Sequence, residues 1–490
     1  MKRSKFSLSH YKLLSCNMGN LIPCGLTEVL PGDTIQHATS ALVRVSPLLA
    51  PVMHPCHVRI HHWFVPHRLV WEDWEKFITG GPDGLDASVF PTITFSGGSG
   101  AAVGSLADYL GVPTGVNNIE VSALPFRAFA LIFNEWYRDQ DLVSALPIDK
   151  TSGPDTTTNT TMQNIAWEKD YFTSARPWTQ KGPDVTLPLG TIAPVQTNSS
   201  TAALDNLTTW QNWNSGSNWE SRIGATGVGT AGTFTLEADL SSATSASVND
   251  LRLAMALQRY EEARARYGSR YTEYLRYLGV RSSDARLQRP EYLGGGKQTI
   301  QFSEVLQTAP IYDSTATEIV GNVGDLKGHG IGALRSNRYR RFFEEHGYVI
   351  SLISVKPKTM YAQGLARTFN RRTKEDFFQK ELQHIGQQAV LNKELYAAHA
   401  SPNGTFGYQD RYDEYRRMES TIAGEFRNTL DFWHMARIFA SDPALNGTFV
   451  QANPTDRIYA STTTDQLYIM ANHSIQARRL LSKTGGSYIY

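Results

Sequence analysis

Alternating apolar and polar residues predict β-strands at residues 35–45, 58–64 and 467–477. In each stretch the apolar side chains fall on one face, as in a sheet with one buried side. A fourth stretch, residues 348–355, is apolar on both faces and ends before Pro357, which is typical of a central strand. Because these strands come from both ends of the chain, distant segments must pair. The pattern therefore predicts an antiparallel sandwich and not a regular strand–helix repeat.

Helical spacing occurs in two stretches between these strands. In the first, Phe126, Phe129, Phe133 and Tyr137 recur at helical intervals after Pro125, a residue suited to a first helical turn. This spacing predicts an amphipathic helix that packs on another layer.

The second helix is predicted at residues 250–267 and continues over 270–278, with Gly279 as its C-terminal cap. Its apolar stripe includes Leu251 and Met255. We assign it to a helical insertion at residues 248–290.

Residues 191–247 differ in composition from the rest of the chain. They are rich in Thr, Ser, Gly, Ala and Asn, with five charged residues and no Lys. This composition indicates a polar surface insertion and not a core element. Trp210, Trp213 and Trp219 favour partial order, because disordered segments are usually poor in aromatic residues.

The charge balance limits what the surface binds. With 47 basic and 46 acidic residues the net charge is +1, so any contact with nucleic acid must be local. Cys16, Cys24 and Cys56 are an odd number without paired spacing, which predicts buried free thiols and not a disulfide framework. No apolar run has the length of a signal peptide or a membrane span, so we expect neither export by that route nor membrane insertion.

Motifs for catalysis or cofactor binding are weak. The histidine-rich run 54–67 offers at most two ligands on one strand face plus a nearby cysteine, too few for a metal site. Gly294, Gly295, Gly296 and Lys297 fail the phosphate-loop pattern and predict a tight glycine turn instead. The chain has neither a Gly-x-Ser-x-Gly elbow nor a helical His-Glu-x-x-His motif. We therefore predict no enzymatic activity, no cofactor and no metal.

Several dense segments resemble the signatures of microvirus major capsid proteins. The densest runs from Trp167 to Val185, and the others lie at residues 30–34, 51–53, 286–295, 406–412, 424–427 and 433–434. They occur in the order that the family shows and span most of the chain. The resemblance implies one eight-stranded antiparallel jelly roll, mainly β, spanning residues 1–490 with long, partly helical insertions.

The resemblance also implies a virion protein that assembles in the host cytoplasm. Identical subunits would form the smallest icosahedral shell through five-fold and three-fold contacts around a circular single-stranded DNA genome. A small basic DNA-packaging protein and other virion proteins would be its partners. In the gokushovirus-like branch, an insertion such as 191–247 forms a protrusion at the three-fold axis, which would contact a host cell-surface receptor. Residues 1–30 would form an N-terminal arm, and residues 465–490 a last strand and tail.

A shell around DNA must meet phosphates on its inner wall, and basic residues near aromatic ones are suited to that contact. The candidates are Lys2, Arg3, Lys5, Arg335, Arg338, Arg340, Arg341, Arg371 and Arg372. The alternative function is that of a carbohydrate-binding, lectin-like jelly roll, with Trp210, Trp213 and Trp219 as sugar-stacking platforms.

Overall fold

The structure is a computed structural model. It describes residues 3–82, 85–98, 100–183, 185, 195–197, 210–214, 219–223, 236–238, 248–267, 273, 276–277, 279, 283–284, 288–312 and 319–483. The chain divides into two compact units, residues 1–179 with 264–490, and residues 180–263.

The described residues are mainly β. The strands are β1 Ser4–Ser7, β2 His10–Cys16, β3 Ile22–Val29, β4 Thr34–Val45, β5 Cys56–Pro66, β6 Thr92–Phe95, β7 Ile119–Ser122, β8 Val195–Thr197, β9 Trp210–Asn214, β10 Trp219–Ile223, β11 Leu236–Ala238, β12 Glu291–Leu306, β13 Ile311–Tyr312, β14 Ile319–Gly321, β15 Leu326–Arg335, β16 Tyr339–Phe342, β17 Gly347–Pro357, β18 Gln387–Leu391, β19 Thr405–Asp410 and β20 Leu467–Arg479. The α-helices are α1 Trp74–Thr79, α2 Leu106–Leu110, α3 Leu124–Ile132, α4 Val248–Tyr267, α5 Asn392–Leu395 and α6 Gly447–Val450.

Eight of these strands form a jelly roll of two antiparallel sheets. The first sheet has the order β2-β20-β4-β15, and the second has the order β3-β17-β5-β12. Strand β12 joins them, because its first part pairs with β5 and its last part pairs with β15. Strands β1 and β16 extend the first sheet by pairing with β20 and β4. The predicted fold class is confirmed, since this strand order is that of an eight-stranded jelly roll.

The main core lies between the two sheets. All four predicted strands are present as β4, β5, β17 and β20. Each of the eight strands contributes buried apolar side chains to one cluster, among them Cys16, Cys24, Val43, Val58, Ile300, Leu334, Ile353 and Ile469. The three cysteines are buried free thiols, as predicted. Burying one large aliphatic side chain contributes about 1.5–3 kcal/mol, so this shared cluster is a main source of stability.

The outer face of the second sheet is covered by the chain itself. Trp63 of β5 and Leu352 of β17 point away from the first core and pack in a second cluster with Phe126 and Phe129 of α3. Helix α3 begins with Pro125 in its first turn and continues as one π-helical stretch, Phe133–Tyr137. The predicted helix and its packing on another layer are confirmed, but α3 is not amphipathic, because eight of its nine residues are buried. Strand β17 is apolar on both faces because one face packs in the main core and the other packs in this second cluster.

Helix α4 contains the first part of the second predicted helix, at Val248–Tyr267. Most of the predicted continuation, 270–278, lies outside the described residues. Of the predicted apolar stripe, Leu251 is 38% exposed and Met255 is 58% exposed. No helix among the described residues is both long and apolar enough to cross a bilayer.

The predicted glycine turn at Gly294 to Gly296 is wrong, because these residues lie inside strand β12. The strand has a bulge between Tyr292 and Gly294 and then continues along β5. A Cβ atom at Gly295 would come within 2.3 Å of the Ile60 carbonyl oxygen. The glycine run therefore permits a close approach of two strands, a role that sequence alone does not distinguish from a turn.

Buried histidines connect the two sheets at a point between the main core and a smaller apolar cluster. His37 of β4 and His473 of β20 come within 3.2 Å through Nε2 and Nδ1, and both contact the Thr39 hydroxyl. His62 of β5 lies 4.5 Å from His37 between ring centroids, and its Nδ1 is 2.8 Å from the Ser351 hydroxyl. Burial lowers the pKa of all three imidazoles, to about 3 for His62 and about 4 for His473. They are therefore neutral at pH 7.

This cluster predicts a loss of subunit stability in mild acid. Each histidine has a lower pKa folded than unfolded, so its contribution is complete above about pH 6.5 and declines as the pH falls toward the folded value. We expect the free energy of unfolding to fall by up to about 1.4 kcal/mol per pH unit for each histidine. Denaturant titrations between pH 7.5 and 5 measure this slope.

The substitution His473→Gln should reduce that slope by the share of one histidine, at most about 1.4 kcal/mol per pH unit. The rest of the slope remains, because burial also lowers the pKa of His54, His61 and His67. His329→Gln changes an exposed histidine of β15 and is the matched control, which should keep the full slope. A stability profile that is flat between pH 6.5 and 5 would contradict this account of the cluster.

Candidate nucleic-acid interface

The outer face of the first sheet differs from that of the second sheet, because much of it stays exposed among the described residues. We call this surface the open face: the residues of β1, β2, β4, β12, β15, β16 and β20 that point away from the core. Leu13 of β2 is 77% exposed, Tyr11 of β2 is 68% exposed and Tyr468 of β20 is 43% exposed. Such large apolar and aromatic side chains on one sheet face mark a contact surface.

Strand register arranges the open face in rows. One row crosses the sheet as Leu13, Met470, Leu42 and Ala333. The row on one side of it is Ser15, Tyr468, Arg44 and Ile331, and the row on the other side is Tyr11, Asn472, Ser40 and Arg335. Side chains directly opposite each other on neighbouring strands are about 5 Å apart. The apolar row therefore has cations on both sides.

Six cations lie on the open face, all of them exposed: Lys5, Arg44, Lys327, Arg335, Arg340 and Arg478. Lys5 is the ladder partner of Arg478, and Arg340 is the partner of Gln36. No described carboxylate forms an ion pair with any of the six. Their charges are consequently available to an anion outside the subunit.

No described position of the open face carries a carboxylate. Its other described positions are Ser7, Tyr11, Leu13, Ser15, Thr34, Gln36, Ala38, Ser40, Leu42, Gln301, Ser303, Val305, His329, Ile331, Ala333, Phe342, Tyr468, Met470, Asn472, Ser474 and Gln476. At the rim, Asp465 accepts a hydrogen bond from the Ser15 hydroxyl. Since acidic residues equal basic ones almost exactly in number over the whole chain, this segregation of charge is local.

Glycine alternation explains how β15 places its side chains. The strand reads Leu-Lys-Gly-His-Gly-Ile-Gly-Ala-Leu-Arg, with its three glycines turned inward. A Cβ atom at Gly330 would lie 2.6 Å from the Val45 side chain, so the inner position admits only glycine without rearrangement. The outward positions therefore carry most of this strand's side chains, including Lys327 and Arg335.

A shallow depression of about 430 Å³ lies over the apolar row. Leu13, Leu42, Arg44, Tyr468 and Met470 line it. The depression combines an apolar floor, a tyrosine ring and one guanidinium group. Unpaired bases and phosphates suit this combination of groups.

The predicted DNA-facing residues are not all in one place. Lys5, Arg335 and Arg340 lie on the open face, and Arg338 is exposed in the turn between β15 and β16. Arg3 stacks at the edge of this face, with its guanidinium carbon 4.9 Å from the Phe342 ring centroid.

Arg341 points to the side of β16 opposite to Arg340, and its guanidinium group pairs with the Glu291 carboxylate at 2.9 Å. Lys2 lies outside the described residues. Trp210 and Trp213 lie on β9 and Trp219 on β10, two strands that form an antiparallel hairpin.

Arg371 and Arg372 belong to a different part of the chain. The Arg371 guanidinium lies 4.3 Å from the Tyr415 ring centroid, its side chain is only 9% exposed, and it pairs with Glu414. Arg372 is exposed and donates to the Phe369 carbonyl at 3.2 Å. Packing within the subunit thus occupies Arg371, which makes it a weaker candidate for an external phosphate than Arg335 or Arg340.

Sequence reasoning missed Arg44, Lys327 and Arg478 as members of this surface. The sequence did contain a signal for them, because each of these cations alternates with inward-pointing residues of its own strand and must therefore point outward. That signal identifies a sheet face only after the register between distant strands is known.

The histidine-rich run behaves as a strand with two different faces. His62 points into the core, whereas His61 contacts the Tyr137 hydroxyl at 2.7 Å on the other face. Among the described residues, no group of three or more His, Cys, Asp or Glu is placed to hold a metal ion.

Comparisons with known proteins point in one direction. A family model described as "Capsid protein (F protein)" matches residues 1–488. The chain is 39% identical to capsid protein VP1 of Bdellovibrio phage phiMH2K, covering 94% of this chain and 90% of that protein. It is 33% identical to capsid protein VP1 of Chlamydia phage 1, with 94% and 91% covered, and 33% identical to VP1 of Spiroplasma virus 4, with 95% and 92% covered.

We expect exposed arginines of the open face to contribute little to stability, whereas buried arginines contribute much. Arg340→Gln should change the free energy of unfolding by no more than about 0.5 kcal/mol, because the side chain is exposed and pairs with no described carboxylate. Arg127→Gln should cost about 3–5 kcal/mol, because it leaves Asp155 unpaired in a fully buried pair whose atoms are 2.8 Å apart. Denaturant unfolding of both variants measures the difference. Equal losses would show that Arg340 has a structural role.

Proposed function

The chain belongs to the family of phage capsid proteins (F proteins), and from this premise we propose that the open face of its first sheet binds the packaged genome. As a capsid protein of a small single-stranded DNA phage, the chain is a structural, non-enzymatic subunit of a homo-oligomeric virion shell. The observation that carries the proposal is a sheet face with six cations that pair with no described carboxylate and with no carboxylate among its own described positions. Family membership removes the lectin-like alternative as the chain's whole function.

The two sheet faces support this assignment by their difference. Helix α3 and its neighbouring loops already cover the second sheet, so its outer face is occupied within the subunit. The outer face of the first sheet leaves both cations and apolar side chains exposed. A rigid sheet fixes the spacing of its cations, which lowers the entropic cost of holding a flexible polyanion.

Each phosphate contact that a cation of the open face makes releases about 0.7 of a counterion from single-stranded DNA. We propose that a small basic DNA-packaging protein and other virion proteins add further phosphate contacts. The arm at residues 3–7 supplies Lys5, one of the six cations, and adds Arg3 at the edge of the same face.

The DNA-binding proposal predicts a packaging defect. Replacing Lys5, Arg335, Arg340 and Arg478 by Gln should leave the jelly roll intact and reduce genome content per particle. For binding of single-stranded DNA by the subunit, the slope of log K against log salt should flatten by about 0.7 for each lost contact, or about 2.8 in all. Genome content is measured as nucleic acid per purified particle, and the slope by titration at several salt concentrations.

The matched control replaces four exposed cations outside the open face, Lys76, Lys358, Lys374 and Lys380, by Gln. It changes the net charge by the same amount, so it separates local contact from the overall charge of the subunit. Equal packaging and equal salt slopes for the two quadruple variants would overturn the assignment of the open face to DNA.

We also propose that the insertion at residues 191–247 projects from the shell at the three-fold axis and contributes to host attachment. Its described parts form two ladders, β8 with β11 and β9 with β10, within the compact unit 180–263. Trp210, Trp213 and Trp219 are concentrated in the β9–β10 hairpin. A hairpin rich in tryptophan is a suitable platform for sugar rings, which lie on host surfaces.

The attachment proposal predicts loss of adsorption after removal of the insertion. Val195 and Ala238 are ladder partners, so a short Gly-Ser linker closes the gap between them without strain. We expect shells that still assemble and contain DNA but adsorb to host cells at least tenfold more slowly. Replacing only the three tryptophans by Phe is the control, which should retain stacking and most of the adsorption. Normal adsorption of the deletion variant, or failure of its shells to form, would contradict the proposal.

A further inference from the structure

We infer that the open face discriminates single-stranded from duplex DNA, with its apolar row receiving unpaired bases while the neighbouring cations hold phosphates. This inference rests on the proposed function and specifies its ligand. The juxtaposition that carries it is the row of Leu13, Met470 and Leu42 between the rows of Arg44 and Arg335.

The spacing of the rows suits a chain of nucleotides. Arg335 is the ladder partner of Ser40, and Arg44 lies four residues further along β4. Four residues of a strand span about 13 Å, so two guanidinium groups flank the apolar row on opposite sides. A strand of DNA that crosses the row at an angle meets a cation, then an apolar floor, then a second cation.

Exposure of the apolar row is unusually high for a sheet surface. Leu13 is 77% exposed and Met470 is 39% exposed, with Tyr11 at 68% and Tyr468 at 43% in the two flanking rows. Bases have apolar faces that gain free energy when they leave water and stack on aromatic or aliphatic side chains. The two tyrosines bring rings to both sides of the row, which favours bases as its occupants.

Duplex DNA does not expose the apolar base faces that would pack on the apolar row. Its base faces are stacked inside the helix, and it presents phosphates and sugars on the outside. Contact with the open face would engage the cations but would place charged backbone over the apolar row, which desolvates phosphates without giving them partners. The apolar row therefore favours the single strand and disfavours the duplex.

Charge identifies nucleic acid as the occupant in preference to an apolar peptide. Arg44 lines the depression itself, and five further cations share the face without a carboxylate among its described positions. An apolar peptide would bury the Arg44 guanidinium without a counter-charge, which is costly. A polyanion with apolar bases satisfies both parts of the surface.

The test uses full-length subunits and two probes, a 20-nucleotide oligothymidylate and a 20-base-pair duplex, each titrated at the same salt concentration. The variant carries Leu13→Thr, Met470→Thr and Tyr468→Thr, and threonine keeps the preference for β-strands. We expect affinity for the single strand to fall about 5- to 150-fold for each lost base contact, with duplex affinity changed less than twofold. The salt slope should stay at the wild-type value, because no cation is removed.

The control variant carries Val103→Thr, Phe369→Thr and Met418→Thr, three exposed apolar residues outside the open face. It should bind both probes like the wild type. Equal losses for the two probes in the first variant would overturn the inference and leave phosphate binding in place. Unchanged binding together with failed shell assembly would also overturn it, because the row would then be a subunit contact. Failure of the unmodified chain to bind either probe would instead contradict the proposed function.

Discussion

The first sheet depends on the insertion of the C-terminal strand β20 between β4 and the N-terminal strands. Its ladder with β4 runs from Leu467 opposite Val45 to Arg478 opposite Thr34, and its other edge pairs with β2 and β1. These partners are more than 400 residues apart, so the sheet closes only when the whole chain is available. Closing such a long loop costs entropy, which the shared core between the sheets offsets. The open face is a product of this closure, because Lys5 and Arg478 come from opposite ends of the chain.

The sequence predicts the elements better than it predicts the surface they make. Alternation identifies β4, β5 and β20, and double-sided burial identifies β17, because burial is recorded in the residue types of each strand. The grouping of Arg44 with Arg335 and Arg478 depends on register between strands that are distant in sequence. Alternation shows which face of a strand is buried, but it does not show which distant strand is its partner or which residues lie opposite each other. A cluster of basic residues in the sequence is consequently a weaker indication of a nucleic-acid contact than a basic face in the folded structure.

Two particular residues show where local reasoning fails. Arg371 stands next to Phe369 and Arg372 in sequence, which is typical of a nucleic-acid contact, yet its guanidinium packs on Tyr415 inside the subunit. Gly295 stands in a glycine run, which is typical of a turn, yet it lies in a strand. Glycine is needed there because Ile60 of the neighbouring strand leaves no room for a side chain. In both cases a distant partner decides the role, and the sequence neighbours do not.

Separation of charge follows from the near-neutral composition. A shell subunit has to meet copies of itself as well as DNA, and a uniformly basic surface would repel those copies. Here carboxylates are placed where they pair with arginines of the subunit, as Glu291 does with Arg341 and Asp33 with Arg479. The described positions of the open face lack them, so its positive charge is available to an external polyanion. Net charge then stays close to zero while one surface is strongly basic, so a single chain combines a surface suited to assembly with one suited to the proposed binding of DNA.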